Sequence, residues 1–208
     1  MNILEAFSFI FKDEKWLEKV LLGGLFVFLC IFVVPIPLLA GYLVELMGNV
    51  ARGERDPLPV WNKLAGKYKN GLWLILINVA YNLPPIFLRI LRSVSSELGG
   101  GFLLLSFWLS LLIIIYHLVV LFVQPVATLH FAVNKRIEDA FDVKKILGFV
   151  RRNFVDLLVI FVMNIVLVLV AGSGLLIIII GALFTSFYAL AVRAYLYGSL
   201  YREKRTPS

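Results

Sequence analysis

Four long stretches of the chain carry no charged residue, and they hold most of its apolar side chains. No Asp, Glu, Lys or Arg occurs in the ranges 20–44, 70–88, 98–134 and 157–192. A helix needs about 20 residues to cross the roughly 30 Å hydrocarbon core of a bilayer. The runs do not alternate between apolar and polar residues, as the strands of a membrane barrel would. The pattern therefore predicts an all-α, polytopic transmembrane helical bundle, in which every backbone group is paired within its own segment.

Proline and glycine within these runs set the predicted borders of the helices. A kink or break is expected at Pro35 and Pro37, because proline removes a backbone donor and clashes with the preceding turn. Pro125 is expected to end or kink the third span, and AGSG at Ala171 to Gly174 predicts a turn. If the two early prolines turn the chain back, there are six spans rather than five. The predicted spans, about five in number, are 20–44, 71–90, 102–124, 155–171 and 175–195.

Three polar segments are expected to lie at the membrane surface. Residues 1–19 can form an interfacial helix, and the ranges 61–69 and 140–154 place apolar residues at helical spacing with Lys and Arg off that face. A proline-containing span, a basic connection and a plain span follow one another twice. This order indicates a weak parallel internal repeat within a single integral membrane domain, residues 1–208.

Composition and charge support the same class of protein. The chain is 61% hydrophobic and 16% charged, with a mean hydropathy of +0.94, whereas soluble domains average about 45–50% apolar and about 25% charged residues. Most of the 20 Lys and Arg residues lie in alternate connections and near the C-terminus. The positive-inside rule then places these basic connections and the C-terminus in the cytoplasm of a multi-pass cell membrane protein, against anionic lipid headgroups. No nucleic-acid motif accompanies the net charge of +7, so no nucleic-acid partner is expected.

Two ionisable residues at the edges of the apolar runs are candidates for an ion pair. Glu45 ends the first run and Arg193 follows the last. Both are expected near the cytoplasmic ends of their helices, where a pair would relieve two partly desolvated charges. The alternative is that each side chain reaches the headgroups by itself.

Polar groups inside the spans are candidates for a functional path. His117 should face the bundle interior, either as a proton-relay or ligand contact or as a neutral histidine bonded to a neighbour. His130 is expected at the interface. Amides in spans often hold helices together at about 0.6 kcal/mol each, but they can also line a narrow polar pocket. The amides concerned are Asn78, Asn82, Gln124 and Asn164.

The sequence carries no recognisable catalytic or metal-binding motif, so no catalytic, cofactor-binding or metal-ligating residue is predicted. The single cysteine, Cys30, excludes an internal disulfide and a cysteine-based metal site. We expect a non-enzymatic scaffold or accessory component of a membrane assembly, with a protein partner or as a homo-oligomer. The alternatives are a small transporter or channel with a polar path between helices, and an intramembrane lipid-modifying enzyme.

A short motif between the first two spans resembles that of a known family. GY…RGE…PLPxW and the later P…AFD stretch are similar to those of the uncharacterised archaeal and bacterial membrane proteins grouped as domain-of-unknown-function family 4013. The resemblance implies a multi-pass prokaryotic membrane protein and brings no agreed activity. We interpret ARGERDPLPVW as a helix stop, an extended proline segment and an aromatic-anchored surface helix, the alternative being a docking surface for a cytoplasmic partner. The matching residues are Gly41, Tyr42, Arg52, Gly53, Glu54, Pro57, Pro59, Trp61, Pro125, Ala140, Phe141 and Asp142.

Overall fold

Helices and short turns make up the chain wherever its structure is described. The computed structural model describes residues 3–98, 100–174 and 179–205, and this part contains no strand, which confirms the all-α class. Single 3-10 turns lie at Phe9–Lys12, Cys30–Phe32 and Ile137–Ala140. The α-helices of the described part are α1 Ile3–Ser8, α2 Trp16–Leu29, α3 Ile36–Arg52, α4 Leu64–Leu98, α5 Phe102–Asn134, α6 Val143–Arg152, α7 Phe154–Ser173 and α8 Ile179–Arg205.

Three helices of the described chain, α4, α5 and α7, are long and apolar enough to cross a membrane. They contain the predicted spans 71–90, 102–124 and 155–171. Helix α8 covers most of the predicted span 175–195, whose first four residues lie outside the described part. The span count of about five is therefore not confirmed, although each of these three apolar runs is helical.

The range 20–44 is not one continuous helix. Helix α2 ends at Leu29 and α3 begins at Ile36. Pro35 is the N-cap of α3, and Pro37 lies in its first turn, where a missing N–H removes no intrahelical hydrogen bond. The prolines therefore start a new helix, and the stretch is divided rather than kinked.

The two helices α2 and α3 form a hairpin. Lys19, near the start of α2, donates from Nζ to the carbonyl of Leu58, which lies just beyond α3 (2.9 Å). The chain therefore turns back between the two helices, as the six-span alternative requires. With 14 and 17 residues, however, each helix is shorter than the about 20 residues of a full crossing.

The N-terminal segment packs into the bundle, which corrects the prediction of a surface helix over residues 1–19. Ala6 and Ile10 are fully buried, and the ring of Phe9 stacks on Tyr195 of α8 with a centroid distance of 4.3 Å. Helix α1 has only six residues and buries Ala6, while the 3-10 turn that follows it buries Phe9 and Ile10.

Helices α4 and α5 contain 35 and 33 residues, or about 50 Å each at 1.5 Å per residue. From Leu64 onward, α4 includes the surface helix predicted over 61–69, and it continues to Leu98 without the connection expected after residue 90. The ranges 82–98 and 102–121 form the far half of this α4–α5 hairpin. Most of their side chains are exposed, because this half extends past the other helices.

The buried core lies between α3, the last third of α5 and the second half of α8. These three segments all end at the same side of the molecule, where the charged connections lie. We call this side the charged end of the bundle. The largest apolar side chains of this core include Tyr42, Leu46, Leu129, Phe131, Leu196 and Leu200.

Candidate functional site

The segment ARGERDPLPVW ends α3 and folds back onto it. Gly53 is the C-cap with a left-handed φ of 77°, a conformation that glycine adopts without strain. The backbone N–H of Glu54 donates to the carbonyl of Asn49 (3.0 Å), and Arg52 pairs with the Glu54 carboxylate at 2.8 Å. The Asn49 amide then donates to the carbonyl of Pro57 (3.0 Å). These bonds fix the return of the chain toward the bundle.

Trp61 packs inside the molecule and anchors no surface helix, since α4 begins only at Leu64. Its ring stacks between Phe26 of α2 and Tyr42 of α3, with centroid distances of 4.4 and 4.1 Å. Its Nε1 donates to the carbonyl of Lys19 (3.0 Å), and Pro59 is buried beside it. The motif thus holds the α2–α3 hairpin closed. An indole N–H needs a partner when it is buried, and here the start of α2 supplies that partner.

The AFD part of the motif joins α4 to the start of α6. The carbonyl of Ala140 accepts from the Tyr81 hydroxyl (2.8 Å), and Phe141 stacks on the Tyr81 ring with centroids 5.8 Å apart. Asp142 is the N-cap of α6 and accepts from the backbone N–H of Lys145 (3.1 Å). This bond and the Lys145 ammonium lower the pKa of Asp142.

Glu45 pairs with Lys67, at 2.8 Å, and not with Arg193. The predicted Glu45–Arg193 pair is therefore wrong in this structure. Lys67 is 2% exposed, and its Nζ also donates to the carbonyl of Asn62 (3.2 Å). The cause is a close approach of α3 and α4, since a Cβ on Gly41 would overlap the backbone of Lys67. Small residues in apolar runs are the sequence signal of such an approach.

Arg193 lies inside α8 rather than near its C-terminal end, because the helix continues to Arg205. Its side chain interacts with the Tyr197 hydroxyl, to which Asn164 of α7 also donates (3.4 Å). No carboxylate in the described part of the chain forms an ion pair with Arg193. The Arg193 side chain is exposed at the side of the bundle.

Arg193 and Tyr197 line a cavity of about 220 Å³ between α3, α4, α5 and α8. Asn78 lines it too and accepts a hydrogen bond from the Gln124 amide. The Oδ1 of Asn164, beside Tyr197, is buried and has no hydrogen-bond partner. The remaining lining is Thr128 together with the apolar residues Leu43, Val44, Met47, Leu74, Pro125, Leu190 and Ala194.

The polar groups around this cavity share one level of the bundle. Gln124 and Asn164 lie 10 residues, Arg193 12 residues and Asn78 14 residues from the charged end of their helices, which is roughly 15–21 Å at 1.5 Å per residue. These distances fall in the middle part of a hydrocarbon core about 30 Å thick. The sequence had separated Arg193 from the amides, because it placed Arg193 at a helix end. The structure brings all four together.

Two further predicted residues lie outside the cavity. Asn82 is exposed and donates to the carbonyl of Asn78 (2.7 Å). His117 is exposed on the α4–α5 hairpin, so the prediction that it faces the bundle interior is wrong. Its Nε2 lies 3.2 Å from Arg89 and its Nδ1 lies 2.7 Å from the carbonyl of Ile113. Arginine only donates, so in these two hydrogen bonds Nε2 accepts from Arg89 and Nδ1 donates to the carbonyl of Ile113.

The comparisons with known proteins identify a family and no function. The family model described as "Protein of unknown function (DUF4013)" matches residues 24–185. The chain therefore belongs to this family. No curated protein and no solved structure matches the chain. Within the described residues, no group of three or more His, Cys, Asp or Glu side chains is placed to hold a metal ion.

Proposed function

We propose that this member of the DUF4013 family is a small multi-pass membrane transporter that binds a monovalent anion in the cavity beside Arg193. The observation that carries the proposal is the position of Arg193, on a polar cavity halfway along the helices and without a carboxylate partner in the described chain. The protein moves its solute without changing it chemically, and no cofactor takes part. The charged end of the bundle faces the cytoplasm of the cell.

The exposed surface supports a location in the membrane. Most side chains of the predicted third span are open in the isolated chain, including Phe107 and Trp108, which are each 62% exposed. Apolar patches on soluble monomers rarely exceed a few hundred Å². Lipid is the solvent that covers a helix of this kind, and the three apolar helices are long enough to cross a bilayer.

An arginine at mid-depth is costly unless it meets a partner. Insertion scales put an arginine at the helix centre at about +2.5 to +3.5 kcal/mol. A bound anion would balance one guanidinium, which is why we propose a monovalent species. The cavity of about 220 Å³ has room for several waters at about 30 Å³ each, and Asn78 and Thr128 place further polar groups on its lining.

Anion flux from proteoliposomes tests the proposal. Vesicles loaded with chloride, nitrate or formate are diluted into anion-poor buffer, and efflux is measured for the wild-type protein and two variants. Arg193→Gln should lower the efflux at least tenfold. Arg89→Gln removes an arginine that hydrogen-bonds to His117 on the outer hairpin, far from the cavity lining, and it should stay within twofold of wild type. Equal fluxes from the two variants, or no flux above that of empty vesicles for any of the three anions, would overturn the proposal.

A second candidate function is a scaffold or accessory component built on self-association. The observation that favours it is the far half of the α4–α5 hairpin, whose outward-facing apolar residues are covered by no other helix of the described chain. A Trp108→Cys variant in a Cys30→Ala background should then form an oxidative dimer in native membranes. Val155→Cys in the same background, on α7 and 73% exposed, is the matched control and should stay monomeric. Monomers from both variants would exclude self-association through the hairpin.

A further inference from the structure

A second and larger cavity lies at the charged end of the bundle, where the ends of α5 and α8 meet α6. Its volume is about 460 Å³. It shares no lining residue with the cavity around Arg193, although Thr128 of that cavity and His130 of this one lie two residues apart on α5. Three cationic side chains reach it, one from the start of α6, one from its end and one from the end of α8. Its lining is His130, Lys145, Phe149, Arg152, Asn153, Tyr201 and Lys204.

Among the described residues, two of the three cations of this pocket are paired with carboxylates, and the third is not. Lys145 pairs with Asp142 at 3.1 Å and with Asp139 at 3.4 Å, and Lys204 pairs with Asp156 at 2.9 Å. Arg152 forms no ion pair with a carboxylate in the described chain.

Arg152 keeps its donors available for a ligand. Its Nε donates to the carbonyl of Gly148 (3.2 Å), which fixes the direction of the side chain. Its two terminal nitrogens carry no bond to another described residue. A guanidinium held at Nε presents the planar pair of donors that binds a phosphate in bidentate fashion.

His130 is an independent sign of a ligand. The residue is 8% exposed, and the edge-on rings of Phe149 and Tyr201 lie 5.8 and 6.0 Å from its ring centre. Its Nε2 is buried and has no hydrogen-bond partner. Buried polar atoms nearly always have a hydrogen-bond partner. The described chain supplies none for this nitrogen, which indicates a partner from outside the chain.

We propose that this pocket binds a phosphate group. Arg152 makes the bidentate contact, and His130 donates a hydrogen bond from Nε2. Lys145 and Lys204 are the flanking charges. The phosphate comes either from an anionic phospholipid headgroup or from a free phosphate in the cytoplasm. Helix α6 favours the headgroup, because it is a cationic amphipathic helix of the kind that lies in the interface plane. The apolar wall formed by Phe149 and Tyr201 fits the glycerol end of a lipid.

Binding to the full chain in detergent micelles tests the proposal and separates the two sources. The probes are inorganic phosphate, dihexanoyl phosphatidic acid and, as a zwitterionic control, dihexanoyl phosphatidylcholine. Saturation by inorganic phosphate alone assigns the site to a free phosphate. Saturation by the phosphatidic acid at tenfold or more lower concentration assigns it to a lipid. Failure of both anionic probes to bind overturns the proposal, as does equal binding of the zwitterionic lipid.

Matched variants and a local signal distinguish the pocket from general surface charge. Arg152→Gln should weaken binding at least tenfold, whereas Arg151→Gln, the exposed neighbour that does not line the pocket, should change it less than twofold. The chain has two histidines, so ¹⁵N-histidine spectra give one signal each for His117 and His130. The ligand should shift the His130 signal alone. Equal loss in both variants, or a His130 signal that does not move, would refute the site. Arg193→Gln should leave this binding unchanged, so the two proposals fail independently.

Discussion

Removing the Glu45 carboxylate should destabilise the protein more than removing the Lys67 ammonium group, although the two form one ion pair. The side chain of Lys67 is 1% exposed and that of Glu45 is 34% exposed. Glu45→Gln leaves a buried cation with one remaining carbonyl partner, from Asn62. Breaking a buried pair in this way typically costs about 3–5 kcal/mol. Lys67→Met leaves a carboxylate that is one-third open and can be solvated in part, so its cost should be about 1–2 kcal/mol, nearer to that of a partly exposed pair.

Reversible unfolding of purified protein in mixed micelles measures these differences, and a double-mutant cycle isolates the interaction. Glu45→Gln combined with Lys67→Met should cost less than Glu45→Gln alone, because no unpaired charge remains buried. Charge reversal at Glu45 should not be rescued by Arg193→Glu, since the two side chains are not paired. The reasoning is refuted if Lys67→Met costs as much as Glu45→Gln, or if the two changes are additive.

Three further predictions concern a helix–helix contact, a tryptophan hydrogen bond and a helix N-cap. Gly41→Ala should cost about 1–3 kcal/mol through overpacking against the backbone of α4, whereas Gly66→Ala, with open space around it, should be neutral or stabilising by up to about 1 kcal/mol in the same unfolding assay. Trp61→Phe keeps the ring stacking but loses the bond to α2, so it should lower stability by about 1 kcal/mol; an unchanged midpoint would show that the indole N–H is not needed. Asp142→Ala should increase amide hydrogen exchange in α6, because the backbone N–H of Lys145 loses its acceptor. The pKa of Asp142 is lower in the folded protein than in the unfolded chain. Its contribution to the stability of α6 is therefore present above the unfolded pKa of about 3.9 and is lost as the pH falls through the folded pKa. The difference in hydrogen exchange between wild type and Asp142→Ala should disappear at strongly acidic pH.

The long helices were predictable because their signal is local. Runs without charge place both ends of α7 and the start of α5 to within two residues, and the amphipathic spacing over 140–154 places α6. Helix α4 and the end of α5 extend seven to ten residues beyond the predicted spans, and α4 continues past residue 90 through Arg92 and Glu97. Charged residues mark the end of an apolar span, but they do not end the helix. Helix α4 ends only at the turn that precedes α5.

The prolines of the first run show where local signals stop. A proline near a helix start is compatible with a kinked span and with a new helix, because its missing N–H is harmless in the first turn. What decides between them is the contact of both helices with α8, together with Trp61 between them. These partners are distant in the sequence, so the residues around the two prolines cannot show whether the chain continues as one kinked helix or starts a new one.

The sequence predicts which polar residues belong to the candidate site, but it does not predict which of them pair with one another. The amides Asn78 and Gln124 stand out as polar groups in apolar runs, and they do meet. The partner of Glu45 depends on how closely two helices approach at Gly41, which is a property of packing. His130 carried no signal beyond its place near a helix end, and its orphaned nitrogen is visible only once Phe149 and Tyr201 enclose it.

The contact of the α2–α3 hairpin with α8 has a consequence for biosynthesis. Helix α2 begins at Trp16 and α8 only at Ile179, and the rings of Phe184 and Phe187 in α8 fill the space over Gly24 and Gly23 of α2. At about 5–20 residues per second, roughly 8–30 s pass between the emergence of these two helices from the ribosome. During that interval α3 can already pack on α4, but the glycine face of α2 lacks the rings that cover it in the finished molecule. We therefore expect α2 to reach its final position only after α8 has been synthesised.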